Sequence, residues 1–152
     1  MTGSKRRSFA ALRTLIGTTR GHALPLPESL SHLYGAFRLP VPRTGFHVFS
    51  NFVSTLDGVV SLQVKGHGGG GDISGFSGQD RMVMGLLRAA ADAVIVGSGT
   101  LAADPDHLWT AQAICPELGD DYRRLSLAMA RPGPRTWPRW SRRSSRVAGR
   151  PS

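Results

Sequence analysis

One cysteine, Cys115, stands in 152 residues, which excludes an internal disulfide and any zinc site built from cysteines and suits a reducing compartment. No base lies near it in the sequence to activate the thiol, so Cys115 is read as a buried spectator rather than a nucleophile. No apolar run approaches the roughly 20 residues that a membrane-crossing helix requires. The first residues, MTGSKRRSFAALRTLIG, have a basic head, but Arg13 interrupts the short apolar segment, which argues against a signal peptide and for a cytoplasmic chain. The glycine-rich run Gly66-His-Gly-Gly-Gly-Gly-Asp72 lacks the Gly-Lys-Ser/Thr ending of a phosphate-cradling loop and reads as a flexible connection. His67 within it would ligate a metal only if partners converged from elsewhere, and its spacing supplies none.

Acidic residues are missing from both ends. Residues 1–20 and 126–152 hold 12 of the 19 lysines and arginines and no aspartate or glutamate, whereas the middle carries the other 7 against all 10 acids. The net charge of +9 therefore belongs to the termini, and the middle of the chain is mildly acidic. A basic tail can hold nucleic acid through its phosphates, but no base-reading motif accompanies this one, which argues against nucleic acid as the partner.

What is present is concentrated in residues 46–105. Residues 46–55 carry apolar side chains on both alternating faces, the pattern of an interior strand. A helix follows near Ser77, with Ser77, Gly78 or Asp80 as its cap and Val83, Met84, Leu86, Leu87, Ala90 and Ala91 at helical spacing. The β-branched run 92–97 then reads as a second buried strand, giving a right-handed β-α-β unit whose strand ends share one edge. Ligands of open α/β sheets bind at such an edge.

On either side, Leu30, Leu33, Tyr34 and Phe37 mark one face of a helix over 28–37 that ends before Pro40, and Leu118, Tyr122, Leu125 and Met129 mark the inward face of another over 117–129. Residues 1–27 read as a poorly ordered lead-in. Residues 131–152, rich in arginine and proline and almost free of aliphatic side chains, read as a disordered basic tail.

Three features carry chemistry. Gly97-Ser-Gly-Thr100 follows the second strand, where glycines admit close backbone approach and successive amides and hydroxyls can converge on a phosphate, although ligand-free turns use the same residues. Asp57, in Ser54-Thr-Leu-Asp-Gly58, falls at the end of the first strand, as a site residue or as the cap of a turn with Gly58. Arg88, among apolar neighbours on the helix, either snorkels to solvent or binds an anion.

The ordered set Asn51-Phe-Val-Ser-Thr-Leu-Asp-Gly58, Ile73-Ser74, Asp80, Leu87-Arg-Ala89, Asp92-Ala-Val-Ile-Val-Gly-Ser-Gly-Thr100 and Asp104-Pro105 resembles the pyrimidine reductase domain of riboflavin biosynthesis, which occurs alone or as the C-terminal half of bifunctional deaminase-reductases. The resemblance spans about residues 28–130 and implies a three-layer α/β fold like that of dihydrofolate reductase, with a mostly parallel sheet. It further implies NADPH-dependent reduction of a pyrimidine ribosylamino phosphate, and a homodimer where the domain is complete. By that likeness Asp57 is the catalytic candidate. Ser54, Gly97, Gly99, Thr100 and Asp104 would lie along NADPH, and Ser74, Arg88 and Leu108 would face the pyrimidine nucleotide-like substrate.

The family's later strands and second glycine loop have no counterpart in 131–152, a segment with the look of a shifted reading frame. The domain is accordingly expected to be incomplete at its C-terminal end, with an exposed sheet edge and poor turnover. The alternatives are an inactive remnant, a nucleotide-binding fragment, or a basic nucleic-acid-binding protein.

Overall fold

The structure is a computed structural model that describes residues 9–17, 20–40, 47–62, 64, 67, 70–103 and 106–129. Asp104 and the tail at 131–152 lie outside the described residues. A two-residue strand, β1 (His22–Ala23), leads to α1 (Glu28–Tyr34), after which the chain returns as β2 (Arg38–Leu39). These two strands pair antiparallel, His22 opposite Leu39 and Ala23 opposite Arg38. The rest of the regular structure is helical: α2 (Gly70–Ser74), α3 (Gly78–Ala90), α4 (Ser98–Ala103), α5 (Ala111–Ile114), a 3-10 turn at Pro116–Leu118 and α6 (Gly119–Met129).

Local sequence explains where these helices begin and end. Of the three cap candidates before α3, Ser77 fills the role, its hydroxyl accepting from the Asp80 N–H at 3.4 Å. Thr110 does the same for α5, accepting from the Ala113 N–H at 3.2 Å, and Pro116 stops that helix because it lacks an N–H to donate. Asp120 and Asp121 occupy the first turn of α6, where the helix dipole favours negative charge.

The core lies where α3, α5 and α6 pack on one another, with α1 added at its side. Leu30, Met82, Leu86, Cys115, Tyr122 and Leu125 are fully buried, and each large apolar side chain so covered contributes about 1.5–3 kcal/mol. Leu33, Tyr34, Val83, Leu87 and Met129 pack against this cluster. The inward faces expected for the helices over 28–37 and 117–129 are those observed, and on α3 Leu86 and Ala90 are buried as the spacing requires. Two hydrogen bonds lock α6 across α3: the Tyr122 hydroxyl donates to the Met82 carbonyl at 2.9 Å, and the Ser126 hydroxyl donates to the Ala89 carbonyl at 2.9 Å. Gly85 makes the crossing possible, since a Cβ there would stand 2.6 Å from Cζ of the Tyr122 ring.

The expected fold is corrected by this arrangement. Instead of a three-layer, mostly parallel sheet like that of dihydrofolate reductase, the described residues form a helical cluster with one two-stranded antiparallel sheet. Of residues 46–55 and 92–97, read as the two strands of the β-α-β unit, the described ones, 47–55 and 92–97, form no strand. The physical reason lies in α3. Its apolar face is covered by α5 and α6, so no helix layer remains to cover a sheet built from 47–55, and an isolated strand leaves its backbone donors and acceptors unpaired. Val48, Phe52 and Ile95, expected to be interior, are exposed as a result.

Candidate functional site

Arg88 lies in the last turn of α3, one turn beyond Met84, and its helical position sends the side chain toward the segment that precedes α5. Its Nη2 stands 3.2 Å from the Met84 sulfur, and the guanidinium carbon lies 5.1 Å from the centre of the Trp109 ring, within cation–π range. The Trp109 ring in turn meets His107, with centres 4.3 Å apart and planes inclined at 51°. Leu108, between them in sequence, faces solvent. Of the three positions expected to face substrate, Arg88 lies in this cluster and Leu108 is the exposed sequence neighbour of its tryptophan.

Two donors in this cluster lack an acceptor among the described residues: Nη1 of Arg88 and Nε1 of Trp109, both buried. Leaving a buried donor unmade costs about 1–3 kcal/mol, so an acceptor bound between them would recover that energy. Burial also lowers the pKa of Arg88 from its ordinary value, and an adjacent negative charge would oppose that desolvation. The arrangement fits an oxyanion presented beside a flat aromatic face. Sequence reasoning singled out Arg88 but missed Trp109, since no linear spacing connects a residue near the end of a helix to one in an irregular stretch.

The remaining site residues are arranged differently. Asp57 is exposed, and its carboxylate accepts from the Thr55 hydroxyl inside a turn that Gly58 closes with φ 89°. In that turn the Gly58 N–H donates to the Thr55 carbonyl at 3.0 Å and the Thr55 N–H to the Val59 carbonyl at 3.0 Å, so the turn-capping reading of Asp57 describes its contacts. Ser54, Gly97, Gly99 and Thr100 are exposed. Gly97 donates no cradle: its carbonyl accepts from the Leu101 N–H at 3.0 Å, opening the short helix α4, and a Cβ on Gly97 or Gly99 would meet nothing within 4 Å. Ser74 ends α2 with its hydroxyl directed back to the Gly71 carbonyl at 3.4 Å. Among the described residues no hydrogen bond joins Ser54 or Asp57 to Gly97, Gly99 or Thr100. Asp104, the remaining residue assigned to the cofactor, lies outside the described residues.

Two other reactive side chains, Cys115 and Tyr122, belong to the core. Cys115 is fully buried in the core, and burial raises its thiol pKa, as a spectator requires. Burial likewise raises the Tyr122 phenol. His67 Nδ1 lies 3.1 Å from an Asp72 carboxylate oxygen, and no group of three or more histidine, cysteine, aspartate or glutamate side chains is placed to hold a metal among the described residues. No helix among them is long and apolar enough to cross a membrane. Comparison with protein-family models, with characterised proteins and with solved structures finds no match.

Proposed function

We propose that this chain binds a phosphorylated pyrimidine of the kind reduced in riboflavin biosynthesis, holding its anionic group at Arg88 and Trp109. The observation that carries the reading is the pair of buried donors, Arg88 Nη1 and Trp109 Nε1, beside Leu108. It is supported by the motif likeness, which independently assigns Arg88 and Leu108 to the substrate. NADPH-dependent reduction is the activity that the likeness implies for a cytoplasmic member of this type. Reduction would require residues 54–58 and 97–100 to meet around the nicotinamide nucleotide. Their exposure, with no hydrogen bond joining them among the described residues, favours a second reading, binding without turnover.

The test uses Trp109 as the reporter, with Trp137 and Trp140, the other two of the chain's three tryptophans, replaced by phenylalanine. Ribose 5-phosphate should change Trp109 fluorescence in a saturable manner, and Arg88→Met should weaken that binding by about 1.5–3 kcal/mol, the range for a hydrogen bond to a charged group. Equal affinity in the two proteins would overturn the assignment. Oxidation of NADPH by the full chain, with the riboflavin-pathway pyrimidine present, separates the reductase from the binding-only reading.

A further inference from the structure

At the other end of the core, residues 9–17 form a strap across α1, pinned where the Leu12 N–H donates to the Leu33 carbonyl at 2.7 Å. Between the strap and the turn from α1 into β2 lies an open cavity of about 480 Å³, lined by Leu12, Arg13, Ile16, Tyr34, Phe37 and Arg38. That volume falls within the roughly 300–1,000 Å³ of small-molecule sites. Its apolar wall includes Tyr34 and the buried Phe37, whose rings meet edge to face with centres 5.4 Å apart. Its polar wall is cationic. Arg38 Nη1 donates to the Gly21 carbonyl at 3.1 Å, and among the described residues neither Arg38 nor Arg13 makes an ion pair. No acid occurs between residues 1 and 27, and none of the described residues that line the cavity is acidic.

We infer that this cavity is a binding site for a small organic anion bearing a flat apolar ring, the ring lying against Tyr34 and Phe37 and the charged group meeting Arg13 and Arg38. The chemistry is specific in both halves. Guanidinium forks match the oxygen pairs of carboxylates and phosphates, while the aromatic corner offers a face that a bare inorganic anion cannot use. The site shares no residue with the Arg88 cluster, so it stands or falls independently of the function proposed above.

The experiment is a titration of the full chain, labelled with ¹⁵N, with phenyl phosphate, followed by amide shifts. Saturable shifts confined to residues 12–17 and 34–38 are expected, with affinity at least tenfold lower for inorganic phosphate and for benzyl alcohol, which each present one half of the ligand. Arg13→Gln should weaken phenyl phosphate at least tenfold. Because Arg13 is exposed and makes no ion pair among the described residues, that variant tests binding without disturbing the fold, and Arg38→Gln serves as the second probe. Absence of shifts at those amides would overturn the inference. So would inorganic phosphate binding as tightly as phenyl phosphate, unchanged affinity in Arg13→Gln, or binding abolished by Arg88→Met.

Discussion

Residues 78–129 and residues 47–62 are both rich in large apolar side chains, and they handle them in opposite ways. In the first stretch Met82, Leu86, Tyr122 and Leu125 are fully buried; in the second Phe52 is 81% exposed and Leu56 is wholly so. A helix makes its backbone hydrogen bonds internally, so it needs only another helix against one face. A strand needs a neighbour along its edge as well as layers over its faces, and the described part of this chain supplies neither to residues 47–62. Apolar content alone therefore does not create a core. The segment must also have a way to pair its backbone.

The largest effect expected from this contrast is at the helix crossing. Leu86→Ala should lower stability to denaturant by about 2–5 kcal/mol, the range for emptying a filled core position. Leu56→Ala should change it by less than about 0.5 kcal/mol, as for an exposed site away from any packing. Equal losses at the two positions would break the comparison and show that residues 47–62 are covered in solution.

Gly85→Ala sharpens the same point from the opposite direction. Alanine at an interior helical position is favoured over glycine by about 1 kcal/mol through propensity alone. Here the added methyl would stand 2.6 Å from the Tyr122 ring, and that ring cannot withdraw without breaking its 2.9 Å bond to the Met82 carbonyl. Overpacking of this kind costs about 1–3 kcal/mol, so a net loss is expected, and thermal unfolding should show it. A gain in melting temperature would mean that α3 and α6 are not in contact at this point.

Alkaline pH should separate the two regions again. Cys115 and Tyr122 both hold their protons more tightly when folded, because burial disfavours the thiolate and the phenolate. Their contribution is fully present below the ordinary thiol and phenol values, about 8.5 and 10, and declines as the pH rises beyond those values toward the raised folded ones. Stability measured between about pH 8 and pH 11 should fall in the parent protein, and fall less in Cys115→Ala. A flat profile in the parent would place both groups in solvent.

How much of this was readable beforehand follows the same division. The helices α1, α3 and α6 could be read because a period of 3.6 identifies both the element and much of its buried face: Leu30, Leu86 and Ala90, and Tyr122 and Leu125 are where the spacing puts them, whereas Phe37 is buried beyond the end of α1, and Met84 and Ala91 lie outside the core cluster. Residues 47–55 show a strand-like alternation, but alternation does not reveal whether a partner strand exists, and the parallel sheet inferred from it is not formed. At the candidate site, Arg88 could be singled out as a charge among apolar helix neighbours. Trp109 could not, because the contact between them depends on how the chain turns after α4. The arginines at positions 13 and 38 were equally hidden, one within a stretch read as lead-in and the other beyond the end of a predicted helix.

The smallest expected effect concerns a contact that fixes the edge of the helical region, the bridge from Arg81 on α3 to Glu117 in the 3-10 turn, 3.2 Å between Nη2 and Oε1. Both side chains are about a third exposed or less, so solvent screens the pair only in part, and a pair of this kind contributes about 0.2–1 kcal/mol. The Glu117 carboxyl is held below its ordinary pKa, first by a backbone hydrogen bond and then by the Arg81 charge, which together outweigh the opposing effect of desolvation. A carboxylate depressed in this way stabilises the fold above its unfolded value, about 4.3, and that stabilisation is lost as the pH falls through the lower folded value. Glu117→Gln should therefore lower stability slightly at pH 7 and remove part of the decline seen in the parent below about pH 4.3. Because the bridge spans α3 and the turn that introduces α6, Arg81→Met should give a similar loss, and the double variant should lose less than the sum of the two. Strict additivity would show that the two side chains do not act on each other.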